Sequence, residues 1–146
     1  MKQVTFLVLF IISIIGKAQK SSIDGEYKLN CKNSYQILDI NKNNVYLSLY
    51  KDNIYINCKI LNKKKFYNIY FYSVEPAINR HYKKIDTLFI SKKISIGILK
   101  KHKKGLELKW YGLYNNKTKK REFVKDFVLV EDNYNHSTTI FLKKCD

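Results

Sequence analysis

Three histidines, three cysteines and twelve acidic residues are the groups in this chain that could do chemistry. His81, His102 and His136 fall in three separate turns or loops. None has a second His or Cys at ligand spacing, so no zinc site and no other metal or cofactor is expected. The carboxylates form no evident acid–base pair. Asp126 stands out because it lies between Phe123 and Phe127 in an apolar run. Its plain reading is a carboxylate on an exposed face beside a lysine. No Gly-rich phosphate loop and no nucleophile elbow is present. Asn116-Lys117-Thr118 and Asn135-His136-Ser137 match the glycosylation sequon, as an Asn-rich chain does by chance. These residues predict no catalytic group and place an exported enzyme last among the function classes.

The strongest chemical signal is charge. Lys and Arg number 28 against 12 Asp and Glu, for a formal net charge of +16. Every basic residue except Arg80 and Arg121 is lysine. Two explanations stand side by side. One is an anionic partner, such as a polyanion or an envelope surface. The other is compositional, because Lys, Asn, Ile, Tyr and Phe are what an AT-rich genome supplies without selection for charge. The arginine shortage argues against a specific nucleic-acid site: Arg supplies the planar two-pronged donor such sites use, and Lys only a point charge.

These groups must be positioned by elements, and the first segment is not one of them. Lys2 precedes an apolar run from Val4 to Ile15, and Gly16-Lys17-Ala18 follows with small residues. That pattern reads as a secretory signal peptide over residues 1–18, too short for an ordinary membrane anchor. Residues 19–146 are expected to form a single all-β domain, exported to the periplasm or secreted. Its length allows one real core. No later segment reads as a transmembrane anchor.

Strand-like runs follow one another through the rest of the chain. They are placed at Gly25–Cys31, Tyr35–Ile40, Asn44–Tyr50, Ile54–Leu61, Phe66–Val74, Ile85–Ile90, Ile94–Lys100, Leu106–Leu113, Glu122–Glu131 and Thr138–Lys144. Tyr, Ile, Val and Phe fill them, and Asn, Asp and Lys fill the turns between. Glu75 to Lys84 holds the only Pro and reads as a loop or a short helix. Gly105 to Glu131 reads as the organising hairpin. Leu106, Leu108, Trp110 and Gly112 share one face of its first strand, while Phe127 to Val130 are apolar on both faces of its second. Trp110 is read as a core residue, with ligand stacking as the alternative. Strands near ten residues apart predict an antiparallel up-and-down meander that closes into a barrel, with a two-sheet sandwich as the alternative.

Strand parity then sorts residues between the two barrel ends. Cys58 and Cys145 are both expected at the end where the first strand begins, and Cys31 at the other. An oxidising compartment therefore predicts a Cys58–Cys145 disulfide, with Cys31 left over. The same parity gathers Lys63, Lys64, Lys65, Lys92, Lys93, Lys117, Lys119, Lys120 and Arg121 at that end, with Lys143 and Lys144. Lys83, Lys84, Lys101, Lys103 and Lys104 are assigned to the opposite end, among more carboxylates. An anionic partner is expected at the first.

The stretch Ile23-Asp24-Gly25-Glu26-Tyr27-Lys28-Leu29 resembles the opening of lipocalin-like proteins. An apolar residue, a Gly, an aromatic and a Leu share the family spacing, with Tyr27 where the family usually has Trp. The resemblance implies that Gly25 starts the first strand and that Tyr27 plugs the closed end of a barrel. A basic residue covers that aromatic in the family, a part open here to Arg121 or Lys144. The resemblance also implies a small apolar ligand in the cavity, which would make Trp110 and Tyr27 its contacts. A binding protein for a small apolar molecule or a protein partner is thus the first functional expectation. A polyanion or envelope-surface binder is the second.

Overall fold

A computed structural model describes residues 23–32, 38–49, 54–75, 86–124 and 139–145. The chain is all-β, as expected. Its strands are β1 (Gly25–Lys28), β2 (Leu38–Asn41), β3 (Asn44–Leu49), β4 (Ile54–Lys63), β5 (Phe66–Val74), β6 (Ser95–His102), β7 (Gly105–Trp110), β8 (Leu113–Asn115), β9 (Lys120–Glu122) and β10 (Thr139–Cys145). Eight of them close a barrel in the order β1-β10-β7-β6-β5-β4-β3-β2, every pairing antiparallel. Closure removes the free edges of a sandwich. The order is a meander into which the β8–β9 hairpin is inserted between β7 and β10.

Period-2 alternation builds the interior. On β4 Ile54, Ile56, Cys58 and Ile60 point inward, and Leu106, Leu108 and Trp110 do so on β7. Leu38, Leu47, Ile56, Ile69, Leu99, Leu106, Leu108 and Leu142 have no exposed surface, so no water-sized void touches them. Two register shifts bend the wall. Opposite Asn57 and Cys58, β5 carries an extra residue, Tyr72, which stands out from the surface. Opposite Ile69 and Tyr70, β6 carries an extra residue, Ile96, which is buried.

Three expectations are corrected. The run expected as a strand over Ile85–Ile90 is not a barrel strand in its described part, residues 86–90. Thr87–Phe89 form a 3-10 turn capped by the Asp86 carboxylate, and Ile90 makes only an isolated bridge to Asn115. Gly105 to Glu131 is not one long hairpin either. β7 pairs with β6 and β10, and the hairpin is the short β8–β9 unit. Gly112 breaks the run, at φ +86° where L side chains are disfavoured. Beyond Glu122 the chain turns at Phe123, φ +56°, and the expected strand over 125–131 lies outside the described residues.

The disulfide is the third correction. It joins Cys31 to Cys145 with a Cα–Cα distance of 5.5 Å, while Cys58 is a buried free thiol. β1 stops at Lys28, the chain bends at Leu29, and a turn at Cys31-Lys32 returns Cys31 to the Lys144 carbonyl. The expected pairing assumed that the first strand ran on to Cys31. Cys58 points into the core instead, where burial raises its thiol pKa and keeps it protonated.

Candidate functional site

Losing one strand between β5 and β6 reverses the expected direction of the two strands that follow, while β10, which pairs directly with β7, keeps the direction expected for it. β1, β3, β5 and β7 now start at one end, the near end, and β2, β4, β6 and β10 finish there. The near end therefore receives the β2–β3, β4–β5 and β6–β7 turns and the close of β10. They carry Lys42, Lys63, Lys64, Lys65, Lys103, Lys104, Lys143 and Lys144, all exposed. Lys101 lies on β6 beside them and is exposed as well.

The predicted cation cluster is thus divided. Lys63, Lys64 and Lys65 stay at the near end. Lys92, Lys93, Lys117, Lys119, Lys120 and Arg121 stand at the far end, around the start of β6 and the β8–β9 hairpin. Lys103 and Lys104, assigned to the far end from the sequence, are near-end residues. Lys83 and Lys84 lie outside the described residues, as do Asp126, His81 and His136.

Three of the six far-end cations, Lys92, Lys117 and Arg121, are engaged by neighbouring groups, while Lys93, Lys119 and Lys120 are exposed like the near-end turn lysines. At the far end Arg121 donates to the carbonyls of Ser95 and Gly112, both at 2.9 Å, and packs 5.4 Å from the Tyr111 ring centre. Lys92 lies 5.2 Å from the Tyr72 ring and Lys117 5.0 Å from that of Phe89. Those cations are engaged by aromatic faces and carbonyls. At the near end, Lys28 pairs with Glu26 at 3.3 Å and the His102 ring contacts the Glu107 carboxylate at 3.2 Å. Neither draws on a turn lysine.

Lysines hold left-handed turn positions at both ends, Lys119 at the far end with φ +58°. Lys42 and Lys64 hold φ of +55° and +51° in their two-residue turns. Asn or Gly takes that conformation more readily, and lysine there costs on the order of 1 kcal/mol. The long β4–β5 pair also overhangs its neighbour. β4 meets the first β3 residue, Asn44, at Lys59 and continues four residues to Lys63. Across β5, Tyr67 pairs with Leu99, so the next step sets Phe66 beside Lys100. The β4–β5 and β6–β7 tips stand about 10 Å apart sideways, two strand spacings, while the β2–β3 tip is set back by the overhang. That is within a Debye length of ~8–10 Å, so their potentials add.

Trp110 and Tyr27 sit in the packed core. Trp110 donates from its indole N–H to the Phe123 carbonyl at 2.8 Å, and its ring is enclosed. Tyr27 is buried where β1 begins and donates to the Ile23 carbonyl at 2.8 Å. Burial, aided by Asp24 and Tyr67, raises its pKa. Lys144 is the cross-strand partner of Tyr27, whereas Arg121 is at the far end. His102 lies between the Glu107 carboxylate and the edge of the Phe141 ring, 5.7 Å away. Among the described residues no three His, Cys, Asp or Glu come together as metal ligands.

The overhang and the near-end place of Lys103 and Lys104 escaped the sequence reading. The misassigned strand hid the place of Lys103 and Lys104, and the overhang depends on the β3–β4 register. The local signal, three lysines between Leu61 and Phe66, was visible. Compared with known protein families, curated proteins and solved structures, the chain shows no significant match.

Proposed function

We propose that this protein is an exported binding protein whose near barrel end holds an anionic polymer or surface. The observation that carries this reading is the set of exposed turn lysines at that end, outside the ion pairs and aromatic contacts that engage other cations. The signal-like segment over residues 1–18 and the Cys31–Cys145 disulfide support export. Among the described residues, no helix is long and apolar enough to cross a membrane. A small apolar ligand inside the barrel is disfavoured, because Leu, Ile and Trp side chains fill the interior. The protein-partner reading keeps the outer wall, where Tyr72 and Phe141 are exposed among the described residues.

Heparin chromatography tests the reading. Reversal to Glu of Lys63, Lys64, Lys103 and Lys104 changes net charge as much as reversal of Lys92, Lys93, Lys119 and Lys120. The near-end set is expected to lower the eluting salt clearly more, since clustered cations release more counterions from one polyanion. Equal shifts would mean that net charge alone governs retention, and the near-end site would be lost.

A further inference from the structure

The β4–β5 hairpin carries two kinds of side chain that a plain polyanion site would not combine. Lys63, Lys64 and Lys65 form its tip. Leu61 and Phe66 stand beside them on the outer face, 54% and 39% exposed. Leu61 pairs with Asn68 and Lys63 with Phe66, so Leu61 and Phe66 are diagonal neighbours across the hairpin. Such neighbours lie about 7–8 Å apart, within reach of one another's side chains. A shallow concavity of about 360 Å³, lined by the three lysines and Phe66, opens at the tip. Its exposed wall is almost wholly apolar, formed by lysine stems and the phenyl ring.

A soluble polyanion rewards the ammonium groups and leaves exposed Leu and Phe side chains without a partner. An anionic lipid surface rewards both. Its headgroups attract lysines, and its acyl boundary accepts apolar side chains to a depth of about 5–10 Å. Lysine suits this boundary because its stem lies along apolar surface while its charge reaches outward. The tip stands beyond the β2–β3 turn on one side, and the Lys103-Lys104 turn of β6–β7 stands beside it on the other.

We propose that the β4–β5 tip docks on an anionic lipid bilayer. Leu61 and Phe66 enter the headgroup boundary, and Lys63, Lys64 and Lys65 hold phosphate oxygens. This inference rests on the reading of the near end as anion-binding and names the anion.

The test uses the full chain after signal removal with three probes. They are vesicles of equal parts phosphatidylglycerol and phosphatidylcholine, vesicles of phosphatidylcholine alone, and heparin. The wild-type protein is expected to co-sediment with the mixed vesicles and not with phosphatidylcholine alone. Leu61→Ser with Phe66→Ser should weaken mixed-vesicle binding by roughly tenfold or more, from the lost apolar burial, and leave heparin elution unchanged. Phe66→Trp gives a second readout that removes little apolar surface: its added emission should shift to the blue with mixed vesicles and not with heparin. Unchanged vesicle binding by the double Ser variant, or no shift from the Trp variant while vesicles sediment it, overturns the lipid inference. Binding to heparin without binding to mixed vesicles overturns it too, and leaves the anion-binding end intact. Binding to neither overturns both.

Discussion

The Tyr46 hydroxyl donates to the Glu75 carboxylate at 3.3 Å, and its ring stacks on Tyr55 at 5.7 Å. Its pKa is pushed up to about 12, by burial first, then by the charge and hydrogen bond of Glu75, then by Tyr55. The neutral phenol is therefore favoured in the folded state. An unfolded tyrosine loses its proton near 10, so between 10 and about 12 the unfolded chain binds fewer protons than the folded one. Stability from Tyr46 is present below pH 10 and is lost as pH rises through that window. Urea titrations on either side of it should show a smaller loss for Tyr46→Phe than for the wild type, and equal losses would reject the assignment. At this scale the sequence was partly legible. Trp110 read correctly as core from its place in a period-2 pattern. The Tyr46–Glu75 pair did not, because it joins residues 29 apart and depends on register.

Among the elements, β4 and β5 were the most legible. Their runs of Ile, Tyr and Phe bounded by lysine and asparagine turns fixed them almost to their ends, with β4 continuing two residues beyond Leu61. The misreadings fall where one residue overrides a run. Ile85–Ile90 has strand composition, yet Asp86 caps a 3-10 turn within it. Gly112 sits inside an apolar alternation and still turns the chain. A Cβ on Gly112 would lie 2.5 Å from the Glu122 carbonyl oxygen, at a φ that already disfavours L residues. Gly112→Ala should therefore destabilise by about 2–4 kcal/mol, combining the dihedral cost with a backbone clash. The damage should centre on the β8–β9 hairpin, whose Arg121 guanidinium is held by the Gly112 carbonyl. Urea unfolding midpoints measure the loss, and amide exchange locates it. A variant within about 0.5 kcal/mol of wild type, the range of an ordinary surface change, would show that the turn relaxes freely.

For the molecule as a whole, closure was legible and direction was not. One strand too many between β5 and β6 misplaces the turns of the next two strands, which divides the cation cluster, whereas the disulfide differs because β1 ends at Lys28 and the chain returns Cys31 to β10. The disulfide acts where closure is weakest. β1 has four residues and makes three register pairs with β10 and three with β2, whereas β4 and β5 share eight. Cys31–Cys145 fastens this seam across a separation of 114 residues. Closing so long a loop removes unfolded-state entropy equivalent to about 4–5 kcal/mol. Cys31→Ser with Cys145→Ser should accordingly lower stability by roughly 3–5 kcal/mol, and β1 and β10 amides should exchange before those of β4 and β5. Cys58 should stay unreactive to iodoacetamide until global unfolding, because it is buried in the core with its proton held. If the double variant protects β1 as well as β4, the barrel closes without the staple. If Cys58 is alkylated while β4 remains protected, the core is open at its middle, and the case against an interior ligand is lost with it.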